Sequence, residues 1–113
     1  RQKTWRLIMS IGIPRIRDVN TETLTSDPTV LTAASAYHQN LDSDGAKDVD
    51  MPSGTGTQGG ECMITNSGGE VITVKQSDSS TTLITLAAGE SALLLCNGVS
   101  AAAGWQASQL AAT

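Results

Sequence analysis

Oxygen ligands fall at alternate positions in one short stretch, Asn40-x-Asp42-x-Asp44-Gly45-x-x-Asp48, with Asp50 just beyond. A hard cation such as calcium takes roughly six to eight oxygens, and a glycine placed there permits the sharp turn that wraps them around it. The position that would need a bidentate Glu is Met51, however, and no helical periodicity flanks the stretch. It reads as an acidic β-turn, with a calcium site on Asn40, Asp42, Asp44 and Asp48 as the weaker alternative. No cofactor is expected. Like charges this close oppose folding unless a cation or nearby arginines offset them.

Other chemistry is sparse. His38 is the single histidine, without a nucleophile elbow or a Cys/His cluster, so it reads as a strand or surface residue rather than a base. The glycines at 54, 56, 59 and 60 follow neither dinucleotide-binding nor P-loop spacing and mark a loop. Cys62 and Cys96 both lie in apolar runs; with no secretory signal in sight they read as reduced core thiols rather than a disulfide. One pair makes no zinc site.

The elements that carry these residues are short. Cys62–Thr65, Val71–Val74, Leu83–Leu86 and Ala92–Cys96 are apolar, β-branched runs, each cut off by Asn, Asp, Ser or Gly. Such runs are too brief for helices of ~10–12 residues and favour strands. The second and third form a hairpin across Ser77–Ser80. In the fourth, Ala92, Leu94 and Cys96 share one face and Leu93 and Leu95 the other, so this strand belongs mid-core or at a subunit contact. Asn97-Gly98 then signals a tight turn, Trp105 closes the core, and residues 106–113 form a loose tail.

Upstream, Thr29–Leu41 holds strand on both sides of Ala33-Ala34-Ser35-Ala36, which is one helical turn or a strand bend. Asp42-Ser43-Asp44-Gly45 is a turn, Val49–Pro52 a short strand stopped by proline, and 53–60 a loop. Residues 18–28 have linker composition ending at an Asp-Pro turn. The expectation is an all-β protein: a small antiparallel β-sandwich or barrel-like body over 29–113, preceded by an extended arm and linker over 1–28.

Charge divides the same way. Arg1, Lys3, Arg6, Arg15 and Arg17 are five of the seven basic residues and no acid lies among them, whereas the remainder sets Lys47 and Lys75 against all eleven acids, giving +5 and −9. Trp5, Leu7, Ile8, Ile11 and Ile13 alternate with the arm's charges, which suits a protein surface better than nucleic acid. This apolar content is too short and interrupted to span a bilayer. Proline follows at position 14 and interrupts the strand period. With 3% aromatic residues and no Phe the core is thin, and association with copies of itself is expected to supplement it.

Asp48-Val49-Asp50-Met51-Pro52, a glycine-rich loop, Cys62–Asn66, Ile72-Thr73-Val74, the run Leu83 to Gly98 with Ala88-Gly89 inside it, and Gly104-Trp105 follow one another in a set order. On that pattern residues 41–106 resemble the small β-modules of tailed-bacteriophage virion proteins. Met51 takes a position that is usually Leu, and Asn97 one that is usually Asp; the basic arm is outside the resemblance. It implies a non-enzymatic structural protein, often trimeric, on a phage head or tail fibre. The first expectation is therefore a capsid decoration or cement protein, assembled in the host cytoplasm and resident on the virion. Its homotrimeric body would use Leu93, Leu94, Leu95 and Trp105 in its core or subunit contacts. Its arm would meet the major capsid protein through Arg1, Lys3, Trp5, Arg6, Ile11, Arg15 and Arg17. Twenty-eight extended residues reach ~90 Å, enough to cross to a neighbouring subunit. The alternative is a fibre or receptor-binding knob for host glycans, which clustered exposed aromatics would favour. Neither reading involves a small-molecule substrate or a membrane.

Overall fold

A computed structural model describes residues 17–110. Nine strands make two sheets: β1 (Val19–Leu24), β2 (Thr29–Val30), β3 (His38–Ser43), β4 (Lys47–Asp50), β5 (Glu61–Asn66), β6 (Ile72–Lys75), β7 (Thr82–Leu86), β8 (Ser91–Cys96) and β9 (Trp105–Gln109). One sheet runs β1-β3-β5-β8-β9 and the other β2-β4-β6-β7. The fold is all-β, as the runs of β-branched residues require, and the four runs from Cys62 to Cys96 became β5 to β8. The described residues contain no helix long and apolar enough to cross a membrane.

The strand directions correct the antiparallel expectation. β1, β3 and β5 are mutually parallel, as are β2, β4 and β6; only the β5-β8, β8-β9 and β6-β7 pairs are antiparallel. Both sheets are mixed, and they stay separate rather than closing into a barrel. A parallel pair needs a crossover connection of a dozen or more residues, normally a helix. Here the crossover is a strand of the opposite sheet, since the chain alternates sheets at every step from β1 to β6.

These alternations wind the first two-thirds of the body as a short two-sheet coil. Val19 lies opposite His38 and Thr29 opposite Val49, so the first circuit takes about 20 residues, within the repeat lengths of solenoids. His38 lies opposite Met63 and Val49 opposite Val74, so the second takes about 25. Residues 49–63 are common to both longer spans, which locates the extra length in the glycine-rich loop. β7, β8 and β9 then return antiparallel and finish both sheets.

The core lies between the sheets. Leu24, Leu41, Ile64, Ala92 and Leu94 from the larger sheet meet Val49, Ile72, Val74 and Leu86 from the smaller, all at 1% exposure or less. Trp105 closes one end as expected: it is buried, and its indole Nε1 donates to the Pro52 carbonyl at 2.8 Å.

Several boundaries move. Residues 18–28, expected to be linker, contain β1, whose polar Asn-Thr-Glu-Thr sequence is possible because an edge strand is wet on both faces. Asp42 and Ser43 end β3 rather than open the turn. Ala33–Ala36 is a bend containing a Ser35 N–H to Thr32 carbonyl bond, not a helical turn. Gln106–Gln109, expected to be loose, pair with β8 as part of β9. Between them Asn97-Gly98 starts an eight-residue connection (97–104) instead of a two-residue hairpin. Gly98 has φ 75°, and a Cβ there would run into Gln58.

Candidate functional site

The calcium candidate is taken apart by the fold. Asn40 and Asp42 project from the outer face of β3, Asp44 sits in the following turn paired with Lys47 at 3.0 Å, and Asp48 on β4 pairs with Lys75 at 2.8 Å in the other sheet. Alternate positions point the same way on a strand but are strung out along it, so four ligands spaced this way cannot converge without the loop they were expected to form. Among the described residues no group of three His, Cys, Asp or Glu side chains gathers to hold a metal. Lys75 instead serves as the local cation; its ammonium is held charged above the usual lysine range by its hydrogen bond to Asp48, with Asp50 and Asp27 adding to the effect.

His38 is drawn into a cross-strand ladder that sequence reading missed. Its Nε2 lies 3.0 Å from Thr65 Oγ1, which lies 2.8 Å from Ser91 Oγ, joining β3, β5 and β8 on the outer face of the larger sheet. This is not a nucleophilic triad. The serine contacts a threonine instead of the imidazole, and no carboxylate is hydrogen-bonded to that imidazole among the described residues. The ladder's signal was the strand register, which places His38 beside Met63 and Thr65 beside Ser91.

Of the expected arm contacts, Arg1, Lys3, Trp5, Arg6, Ile11 and Arg15 lie outside the described residues. Arg17 is described: its guanidinium carbon stands 4.2 Å above the centre of the Tyr37 ring, a cation–π distance. The residues expected for core or subunit contacts divide by face. Leu94 and Trp105 are buried inside, Leu93 is half-buried, and Leu95 is 45% exposed on the outside. No mid-core place exists for the second face of β8 among the described residues. It is an outer surface. The register sets Val19, His38, Met63 and Leu93 in one row across that surface, with Leu95 beside it.

One concavity is a cleft of about 310 Å³ at the Trp105 end of the sandwich; a larger and more polar one, about 480 Å³, lies between β1 and the Leu31–Ala36 segment. The floor of the cleft at the Trp105 end is Leu31, Met51 and Trp105; Tyr37, Glu61 and the 56–60 loop form its rim. The loop is the surplus length of the second circuit, and its small residues let it stand beside β5 without filling the space. Gly60 is held there by its N–H to the Thr57 carbonyl at 2.8 Å, and a Cβ on Gly60 would press on that carbonyl and the Trp105 ring. The Tyr37 hydroxyl donates to Glu61 Oε2 at 3.3 Å. Desolvation first, and then the neighbouring Glu61 carboxylate, raise the phenol's pKa above its ordinary value, so Tyr37 stays a donor. Cys62, also on the cleft wall, is a half-buried thiol whose pKa burial pushes up to about 11, which keeps it protonated and a poor nucleophile.

Among the described residues the cleft thus presents a phenol donor, a carboxylate and a protonated thiol. Set against known proteins, the chain matches no family model, and no curated protein or solved structure shows similarity to it.

Proposed function

We propose that the protein is a non-enzymatic virion structural protein, a decoration or cement protein that binds the outer surface of a phage head as a homotrimer. The observation that carries this reading is the outer row of the larger sheet, in which His38 stands among Val19, Met63 and Leu93, with Leu95 beside them, so that it is mostly apolar where the solvent face of a sheet is ordinarily polar. The row begins at Val19, two residues after Arg17, the last residue of the basic segment in the sequence. A copy of the chain covers the row, and the basic segment reaches the major capsid protein. Replacing Leu93 and Leu95 together by Asp puts two charges into that contact. The measurement is native mass spectrometry at micromolar concentration. Wild type runs as a trimer and the double variant as a folded monomer; a wild-type monomer sinks the reading.

A second reading, a fibre or receptor-binding knob recognising host glycans, is favoured by one observation: the fold brings Tyr37 and Trp105, far apart in sequence, to a single cleft. Trp105 is only 5% exposed, so Tyr37 is the aromatic plate on offer.

A further inference from the structure

We infer that the Tyr37–Glu61 cleft binds a neutral saccharide and rejects acidic ones; the inference rests on the glycan reading and adds the class of sugar. Charge decides the class. Glu61 is the only charged side chain among the described lining residues, and the surrounding body is strongly acidic. An anionic sugar would have to bring its carboxylate or phosphate against Glu61, and the described lining holds no cation; Arg17, over the Tyr37 ring but outside the lining, offsets that repulsion only in part.

Shape and chemistry argue for a sugar. Tyr37 lines the cleft, and Arg17, stacked on its ring, is not among the lining residues. A pyranose offers a flat patch of C–H groups to such a ring and hydroxyls around its edge. The edge partners are present: the Glu61 carboxylate as acceptor, the Gln58 amide as donor and acceptor, and the Thr32 and Ser35 hydroxyls, which accept from backbone amides and keep their protons to donate. The volume lies at the low end of ligand pockets, ~300–1,000 Å³, which suits one ring rather than a buried chain. A wholly apolar ligand would leave this polar rim desolvated and unpaired.

The test is an amide and indole NMR titration of the full chain with methyl glycosides of galactose, glucose and N-acetylglucosamine, and separately with sialyllactose and glucuronate. A neutral glycoside is expected to shift Tyr37, residues 56–62 and the Trp105 indole. Losing a hydrogen bond to a charged group corresponds to about a 10- to 100-fold loss of affinity, so Glu61→Gln should weaken binding by that factor, and Tyr37→Ala at least as much. Both side chains stand at the surface, and unchanged spectra away from the cleft will show that each variant is folded. If no saccharide moves the cleft resonances at tens of millimolar, both the inference and the glycan reading fall. If the acidic sugars bind tighter than the neutral ones, only the choice of neutral sugar falls. Undiminished binding by folded Tyr37→Ala overturns the assignment to this cleft.

Discussion

Cys62 and Asp78 tie stability to pH with opposite signs. The Cys62 thiol titrates near 9.0 when free of the fold and at about 11 within it, because burial disfavours the thiolate and Glu61 adds to the effect. Below pH 9 both states hold the proton and this contribution is fully present. Between 9 and 11 the unfolded chain releases a proton that the folded one keeps, so stability falls by up to ~1.4 kcal/mol per pH unit. Cys62→Ala should flatten that alkaline limb in thermal melts from pH 8 to 11, and the native thiol should react with a disulfide reagent at pH 8 only after denaturation. Asp78 works the other way. Its carboxylate accepts from the Thr81 hydroxyl at 2.6 Å, the Thr81 amide at 2.9 Å and the Ser80 amide at 3.0 Å, which hold its pKa far below the usual 3.8. That stabilisation is present above 3.8 and is lost as pH falls through the lowered folded value. Asp78→Asn should therefore lower the melting temperature at neutral pH and narrow its gap from wild type below pH 4; an unchanged gap would separate Asp78 from the acid limb.

At the scale of elements, buried amides do what aromatics do in richer cores. Asn66, at the end of β5 and wholly buried, donates across to the Leu86 carbonyl of β7 at 3.0 Å and to the Glu70 carbonyl at 2.6 Å, and accepts from the Gly68 amide at 3.1 Å. It bolts one sheet to the other. Gln76, just after β6, does the same at the opposite end: its amide donates to the Trp105 carbonyl at 2.9 Å and accepts from the Trp105 amide at 3.4 Å. Gln39, also buried, donates to the Ala36 carbonyl and accepts from Asn20, tying β3 to β1. Removing one such side chain strands its partners without water, at ~1–3 kcal/mol for each unsatisfied group. Asn66→Ala should cost roughly 3 kcal/mol or more in urea unfolding, whereas Asn97→Ala, whose exposed side chain accepts from the Val99 amide, should cost under about 1 kcal/mol. Equal costs would remove the argument that Asn66 spans the sheets. Gly104 supplies a different clamp. Its backbone packs so closely on Gly54 that an added Cβ would lie 2.8 Å from the Gly54 Cα, and Gly104→Ala should destabilise by ~1–3 kcal/mol, as overpacking does.

For the whole molecule, the asymmetry of charge becomes an asymmetry of surfaces. Arg17 stands two residues before β1, whose first residue, Val19, lies at one end of the mostly apolar outer row, while the acids are spread over strands and turns of both sheets. Strand addition by the arm to a capsid sheet edge would rest on backbone hydrogen bonds and burial of Trp5 and Ile11, with arginines pairing to acidic lattice residues. Deleting residues 1–16 should leave a folded body that no longer co-sediments with undecorated capsids. Binding by the full chain should persist at 1 M salt, where screening shortens to ~3 Å but apolar burial is untouched. Undiminished binding by the truncated protein would move the attachment to the β-body, and complete loss of full-chain binding by 0.5 M salt would reduce the arm to its charge.

The strands from Cys62 to Cys96, the β6-β7 hairpin, the shared face of Ala92, Leu94 and Cys96, though not which face of that strand is inward, and the closing role of Trp105 were legible in the sequence. Each depends on local physics: β-branched residues at period two, turn residues between them, and one bulky side chain near the end. Strand direction was not legible, because a run such as Val71–Val74 has the same composition in a parallel or an antiparallel pair. Only the path of the chain between sheets decides which neighbour it meets. The same holds for β1, whose polar residues carry no burial signal and become strand by pairing with β3. The cleft was hidden for a related reason: Tyr37 precedes β3, Glu61 opens β5 and Trp105 opens β9, β5 and β9 adjoin only through β8, and it takes the surplus loop of the second circuit to enclose the space between them.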